Sequence, residues 1–185
     1  MKRLVTSIIL CLLVYCASAQ QHMKFMGIPI DGNINNFTTK LKAKGATISP
    51  NNKYAGKGLR IFDGEFYDRP CEFVVRYNKK TGTVYEVLTV IKSDTRHYLE
   101  NLMEEIKGVI EDKYVVYMEE GKTNGGDDID IYRIYPTDDE PSYSYGLIYL
   151  GISQEDDYPN DYALNITYSD IANSTENYES RSNDI

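Results

Sequence analysis

Residues 84–113 read VYEVLTVIKSDTRHYLENLMEEIKGVIEDK, and the hydrophobic period changes inside this stretch. From Val84 to Ile91 the chain is apolar on both faces except at Glu86 and Thr89, the pattern of a central strand covered at least in part on each side. After Ser93 the period becomes helical. Tyr98, Leu99, Leu102, Ile106, Val109 and Ile110 follow i, i+3, i+4 spacing, with Glu100, Glu104, Glu105, Lys107 and Glu111 opposite. Ser93 or Asp94 is expected to cap this helix. A strand feeding directly into a long amphipathic helix, with further strand patterns on both sides, specifies an α+β chain.

Upstream, Cys71, Phe73, Val75 and Tyr77 alternate with Glu72, Val74 and Arg76, and Asn78–Gly82 reads as a turn into the strand at Thr83–Ile91. Further upstream, Asn33 is placed to cap a helix whose Ile34, Phe37 and Leu41 form one stripe and which Gly45 ends. Lys24–Ile30 reads as a short extended segment that Pro29 confines to an edge or strand end. Downstream come four alternating runs, Tyr114–Met118, Ile129–Tyr135, Tyr145–Ile152 and Tyr162–Tyr168, joined by polar stretches as in an antiparallel meander. The expected architecture is one antiparallel sheet of about six to seven strands, with two helices packed on one face and the other face partly in water. It divides into two helix-then-strands halves, 24–92 and 93–173, within a single domain spanning 20–173. Residues 174–185 have little apolar content and are expected to form a flexible tail.

The first residues carry a different signal. Met1-Lys2-Arg3 is basic, Leu4–Cys16 is almost wholly apolar, and Ala17-Ser18-Ala19 is a small-residue triplet, the three parts of a secretory signal peptide over 1–19. Cleavage is expected between Ala19 and Gln20, giving a periplasmic or secreted protein. The apolar run is too short for a membrane span of roughly 20 residues. An alternative reading is an outer-membrane lipoprotein anchored through Cys16, against which Tyr15 is bulky. Removing 19 of the 185 residues leaves 166, takes away Lys2, Arg3, Cys11 and Cys16, and moves the formal charge from -8 to -10. Cys71 then stands alone, so no internal disulfide is available and the core must hold the fold.

The opening Phe25–Gly32, the helix closing on Gly45, and the ending Leu164–Asp170 with Asn173 resemble small secreted proteins of unknown function from Bacteroidetes gut bacteria. The resemblance implies an exported location and carries over no functional residue. In outline the two halves are also similar to the β-lactamase inhibitor protein type of fold, which is a likeness of architecture alone.

Composition argues against several functions. With 28 acidic against 20 basic residues and a formal charge of -8, the chain lacks the electrostatic drive for nucleic acid. Gly151-Ile152-Ser153-Gln154-Glu155 lacks the second glycine of a nucleophile elbow, and Gly125-Gly126 is followed by acids that would repel phosphate. Cys71 shares a strand face with Phe73 and Val75, so it reads as a core thiol; His97 has no partner at metal spacing. Two features remain as candidates for interaction. One is the acidic loops, with Asp127, Asp128 and Asp130, whose oxygens are a weak candidate for Ca²⁺ although the spacing is not that of an EF-hand. The other is tyrosine at alternate strand positions, Tyr132, Tyr143 and Tyr145, where a rigid ring with a polar tip suits recognition. The expected function is a non-enzymatic exported binding module for a protein, peptide or cationic ligand, with no catalytic residue and no cofactor assigned. A carboxylate-dependent hydrolase and a structural envelope protein are the alternatives.

Overall fold

The computed structural model describes residues 21–123, 125–136, 143–155 and 158–182. The fold is α+β. It opens with a small hairpin, β1 (Lys24–Phe25) and β2 (Ile28–Pro29), turning through Met26 and Gly27 at φ of 49° and 77°. Helix α1 (Ile34–Ala43) follows, capped by Asn33, whose Oδ1 accepts the Asn35 N–H at 2.9 Å. Then come β3 (Thr47–Ile48), a 3-10 turn (Pro50–Tyr54), β4 (Leu59–Phe66), β5 (Arg69–Tyr77) and β6 (Val84–Ser93). Helix α2 (Arg96–Lys113) leads into β7 (Val115–Lys122), β8 (Asp128–Tyr135), β9 (Gly146–Glu155), β10 (Tyr158–Asp170) and helix α3 (Ile171–Ser182). The eight strands after the first hairpin form one antiparallel sheet in the order β3-β4-β5-β6-β10-β9-β8-β7. Two meanders, each running from an edge inward, therefore meet at their last strands, β6 and β10.

The parity of the strands decides which residues are covered. Phe73, Thr89, Ile166 and Leu150 stand in one cross-strand row, and Val75, Val87, Tyr168 and Ile148 in the next. All eight are buried, and they join one core cluster or lie within it together with Ile34, Phe37 and Leu41 of α1 and Leu99, Leu102, Ile106 and Ile110 of α2. The first hairpin plugs the same core. Phe25 is fully buried, edge-on to Phe73 at 5.3 Å and Tyr168 at 5.4 Å between centroids, and stacked on Phe66 at 5.8 Å. Such pairs add to the stabilisation from area burial alone.

Asp170 closes this arrangement. Its carboxylate is fully buried and accepts the Met23 N–H at 2.9 Å and the Asn173 N–H at 3.0 Å, with His22 Nδ1 also at 3.0 Å. The Asn173 side chain donates in turn to the carbonyls of Ile30 and Val84. One end of the chain is thereby stitched to the other through the start of β6.

Four features differ from expectation. The sheet has eight strands rather than about six to seven, because β3 is only two residues long and β4 is interrupted by polar Asp63 and Glu65. The β4–β5 hairpin turns through Tyr67 and Asp68, both at positive φ, a primed turn without the glycine that usually announces one. Helix α2 takes Thr95 as its N-cap residue without a side-chain cap bond; Ser93 Oγ instead accepts the Thr95 N–H at 3.1 Å. The expected flexible tail begins as helix: α3 continues to Ser182, with Asp170 accepting the N–H of Asn173 in its first turn.

Removing the Asp170 carboxylate leaves two buried N–H groups without an acceptor, so Asp170→Ala should lose about 3 kcal/mol in a urea unfolding series. An unchanged midpoint would show that Asp170 does not hold the two ends. Thr89 tests the opposite sign. Its hydroxyl oxygen is buried without a hydrogen-bond partner, so the near-isosteric Thr89→Val should gain about 1 kcal/mol in the same measurement.

Candidate functional site

The sheet face away from the core is half-exposed, and strand pairing fixes its rows. Leu88, Thr167, Tyr149 and Ile131 form one row, with Val90, Asn165, Gly151 and Ile129 beside it. On the other side lie Arg76, Glu86, Ser169, Leu147 and Arg133. A groove of about 530 Å³ crosses these strands, lined by Leu88, Ile129, Tyr149 and Gly151, with Asn165, Thr167 and Ser153 as polar lining. Gly151 keeps it open: a Cβ there would stand 2.7 Å from Ile129 Cγ2. Asn165 donates to Ser153 Oγ at 2.9 Å, fixing one polar wall.

Charge is arranged at the margins. Arg76 Nε meets Glu86 Oε1 at 3.0 Å, and Arg133 meets Glu119 at 2.7 Å. Burial holds the Glu86 carboxyl above its usual range even though Arg76 pulls the other way. The folded state therefore binds that proton more tightly than the unfolded chain. Glu86 favours folding at low pH and weakens it as pH rises from the ordinary carboxylate value through the raised one. Tyr149 lies between the two ion pairs, and burial, then Glu86, pushes its phenol upward. At the far end, Asp127 is exposed and lines the groove with Thr123.

The residues expected to form an interaction surface are divided: Asp127, Asp128 and Asp130 line one pocket of about 400 Å³ beside Arg96 and Lys107 of α2, whereas the three tyrosines lie outside it. Tyr132 is 1 % exposed and belongs to the core face beneath α2, where its hydroxyl meets Glu111 at 3.4 Å; it cannot present itself to a partner. Burial, reinforced by Glu111, pushes its phenol up to about 12. Tyr145 packs half-buried against the core, while Tyr143 is exposed at 58 %. Asp128 is paired with Lys122 at 2.6 Å and Asp130 with Lys107 at 2.7 Å. Although burial works against its charge, hydrogen bonds to Asp130 and Glu104 hold Lys107 above its usual range. Of the three acids only Asp127 reaches the groove. Among the described residues no three His, Cys, Asp or Glu side chains converge to hold a metal ion. The acids at 138–140 and 156–157, and the expected cleavage pair Ala19 and Gln20, lie outside the described residues.

Cys71 is partly buried against the core, and burial, then Glu65 and Asp63, pushes its pKa up to about 12. His97 stands in solvent beside Glu100 and Asn101. Tyr149 and Leu88 were the residues that sequence reasoning missed. Their signal was the alternation of β6 and β9, which gives the period but not which parity the helices cover. Compared with protein-family models, curated proteins and solved structures, the chain shows no significant match.

With so little thiolate at pH 8, alkylation of native Cys71 should run about three orders of magnitude slower than that of an ordinary free thiol. Its rate should rise about tenfold per pH unit, as thiolate does below its pKa. Fast, pH-independent labelling by iodoacetamide would contradict the burial described here.

Proposed function

We propose that this protein is an exported, non-enzymatic binding module, working in the periplasm or outside the cell, that holds an extended segment of a partner protein in the groove on its uncovered sheet face. The observation that carries this reading is the groove itself: an apolar floor of Leu88, Ile129 and Tyr149 framed by polar walls, with a volume in the range of ligand sites. The groove crosses the strands, so a bound segment is read through side-chain contacts rather than by adding a strand to an edge. Two or three apolar side chains suit the floor, and Asp127 suits a basic residue at that end. Export is supported by the basic, apolar and small-residue parts of residues 1–19. No helix among the described residues is long and apolar enough to cross a membrane.

Peptides selected from a random library against the mature domain test this directly. They are expected to shift amide resonances of β6, β9 and β10, and Tyr149→Ala or Leu88→Glu should weaken them at least tenfold with the far-ultraviolet spectrum unchanged. Selected peptides that map to another surface, or that bind both variants undiminished, would overturn the reading.

A further inference from the structure

A second cleft, of about 390 Å³, adjoins the groove and shares Arg76 with it. Its charge is the reverse of the molecule's. Lys57, Arg76, Lys79 and Lys80 line it, and among the described residues no acid does, on a chain whose formal charge is -8. We propose that this cleft is a carboxylate site that receives an acidic side chain, or the terminal carboxylate, of the segment held in the groove. The inference rests on the groove reading and gives it a direction: the ligand's anionic end lies toward Arg76 and its other end toward Asp127.

The cations are held in place by the backbone beneath them. Gly58 has a φ of +90°, and a Cβ there would stand 3.1 Å from the Tyr77 carbonyl oxygen and 3.2 and 3.3 Å from Cγ and Cε of Lys79. The Lys79 stem therefore lies across a position that only glycine leaves free. Gly58 also accepts the Tyr77 N–H at 2.9 Å, which closes the floor. The turn carrying Lys79 and Lys80 is built on Asn78, which is 3 % exposed. Its Oδ1 accepts the N–H groups of Lys80 and Thr81 at 2.8 and 3.2 Å, and its carbonyl accepts that of Gly82 at 2.8 Å.

Lys79 and Lys80 stand on one turn, with Lys57 and Arg76 beside it, so an anion entering the cleft meets side chains of one sign on every described wall that carries charge. Little is lost in ordering a turn that its own hydrogen bonds already fix. Arg76 can serve both pockets. Only its Nε is engaged by Glu86, at 3.0 Å, and the remaining guanidinium donors match a carboxylate's paired oxygens. Lys57 and Lys79 supply the further charge; Lys80 already has an interaction of its own.

The test uses succinate as the probe, added to isotope-labelled mature protein with ionic strength held constant by sodium chloride. Saturable shifts of the Lys57–Leu59 and Tyr77–Lys80 amides are expected, weakened at least fivefold in the Lys57→Gln/Lys79→Gln double variant. The control Lys40→Gln/Lys42→Gln, which removes the same charge from the exposed side of α1, should leave them unchanged. Shifts that follow ionic strength alone, or that survive the double variant, overturn the site. A groove-binding peptide provides the second arm: replacing its acidic end group by an amide should weaken it in the wild type and not in the double variant. Peptides that bind in the groove indifferent to both changes would overturn the carboxylate site and leave the groove reading standing. A succinate site with no peptide in the groove would overturn the groove reading and, with it, the assignment of the carboxylate site to a groove-held segment.

Discussion

The structure depends on one buried carboxylate. Asp170 ends the central strand β10, caps α3 and receives the backbone of Met23, so a single side chain joins the N-terminal segment, the middle of the sheet and the last helix. A buried charge is tolerated only when its hydrogen-bonding capacity is met, and here two backbone N–H groups and His22 meet it. The placement of Phe25 in the aromatic cluster follows from that anchor, because Phe25 stands two residues after Met23 is fixed. Among the described residues the single cysteine, Cys71, is free, so this anchor and the core hold that part of the fold without a disulfide.

Strand β6 is apolar at alternate positions on both faces of the sheet, with Leu88 and Val90 on one and Val87 and Ile91 on the other, and a shift of one residue exchanges them. Val87, Thr89 and Ile91 go under the helices while Glu86, Leu88 and Val90 form the uncovered face. The consequence for function is direct. Tyr132 and Tyr168 are structural because their parity puts them beneath α2 and against Phe25; Tyr149, with the other parity, lines the groove. The acids sort themselves in the same way. Asp130 is on the covered side and is neutralised by Lys107 from α2, whereas Asp127 lies in the hairpin connection at the end of the groove. A composition that reads as uniformly acidic is thus divided into paired acids, an exposed acid at the end of the groove and a basic cleft.

How far the fold could be read in advance varied with the kind of interaction involved. The stripes of α1 and α2 were legible because burial of one helix face imposes a 3.6-residue period over ten or more positions, and Ile34, Phe37, Leu41, Leu99, Leu102, Ile106 and Ile110 are all buried. Tyr98 and Val109, at the margins of the stripe, are each 38 % exposed. The hairpin through Tyr67 and Asp68 was not legible, since neither residue advertises positive φ and the turn is imposed by the pairing of Phe66 with Arg69. Helix α3 was missed for a similar reason. Its residues have weak local preference, and its start is set by Asp170 and by the contact of Ser169 Oγ with Ser174 Oγ at 3.0 Å.

The residues by themselves determined the α+β class, the two amphipathic helices and the excess of acid, all of which follow from local periodicity or from counting. Only the tertiary structure decided which parity of each strand is covered, that Tyr132 is core, and that Arg76 stands where an apolar groove meets a basic cleft. The physical reason is that periodicity records that one face differs from the other without recording what packs on it. The partners of a strand residue are drawn from strands far away in the chain: Leu88 and Tyr149 come to share a row only because β6 and β9 both pair with β10.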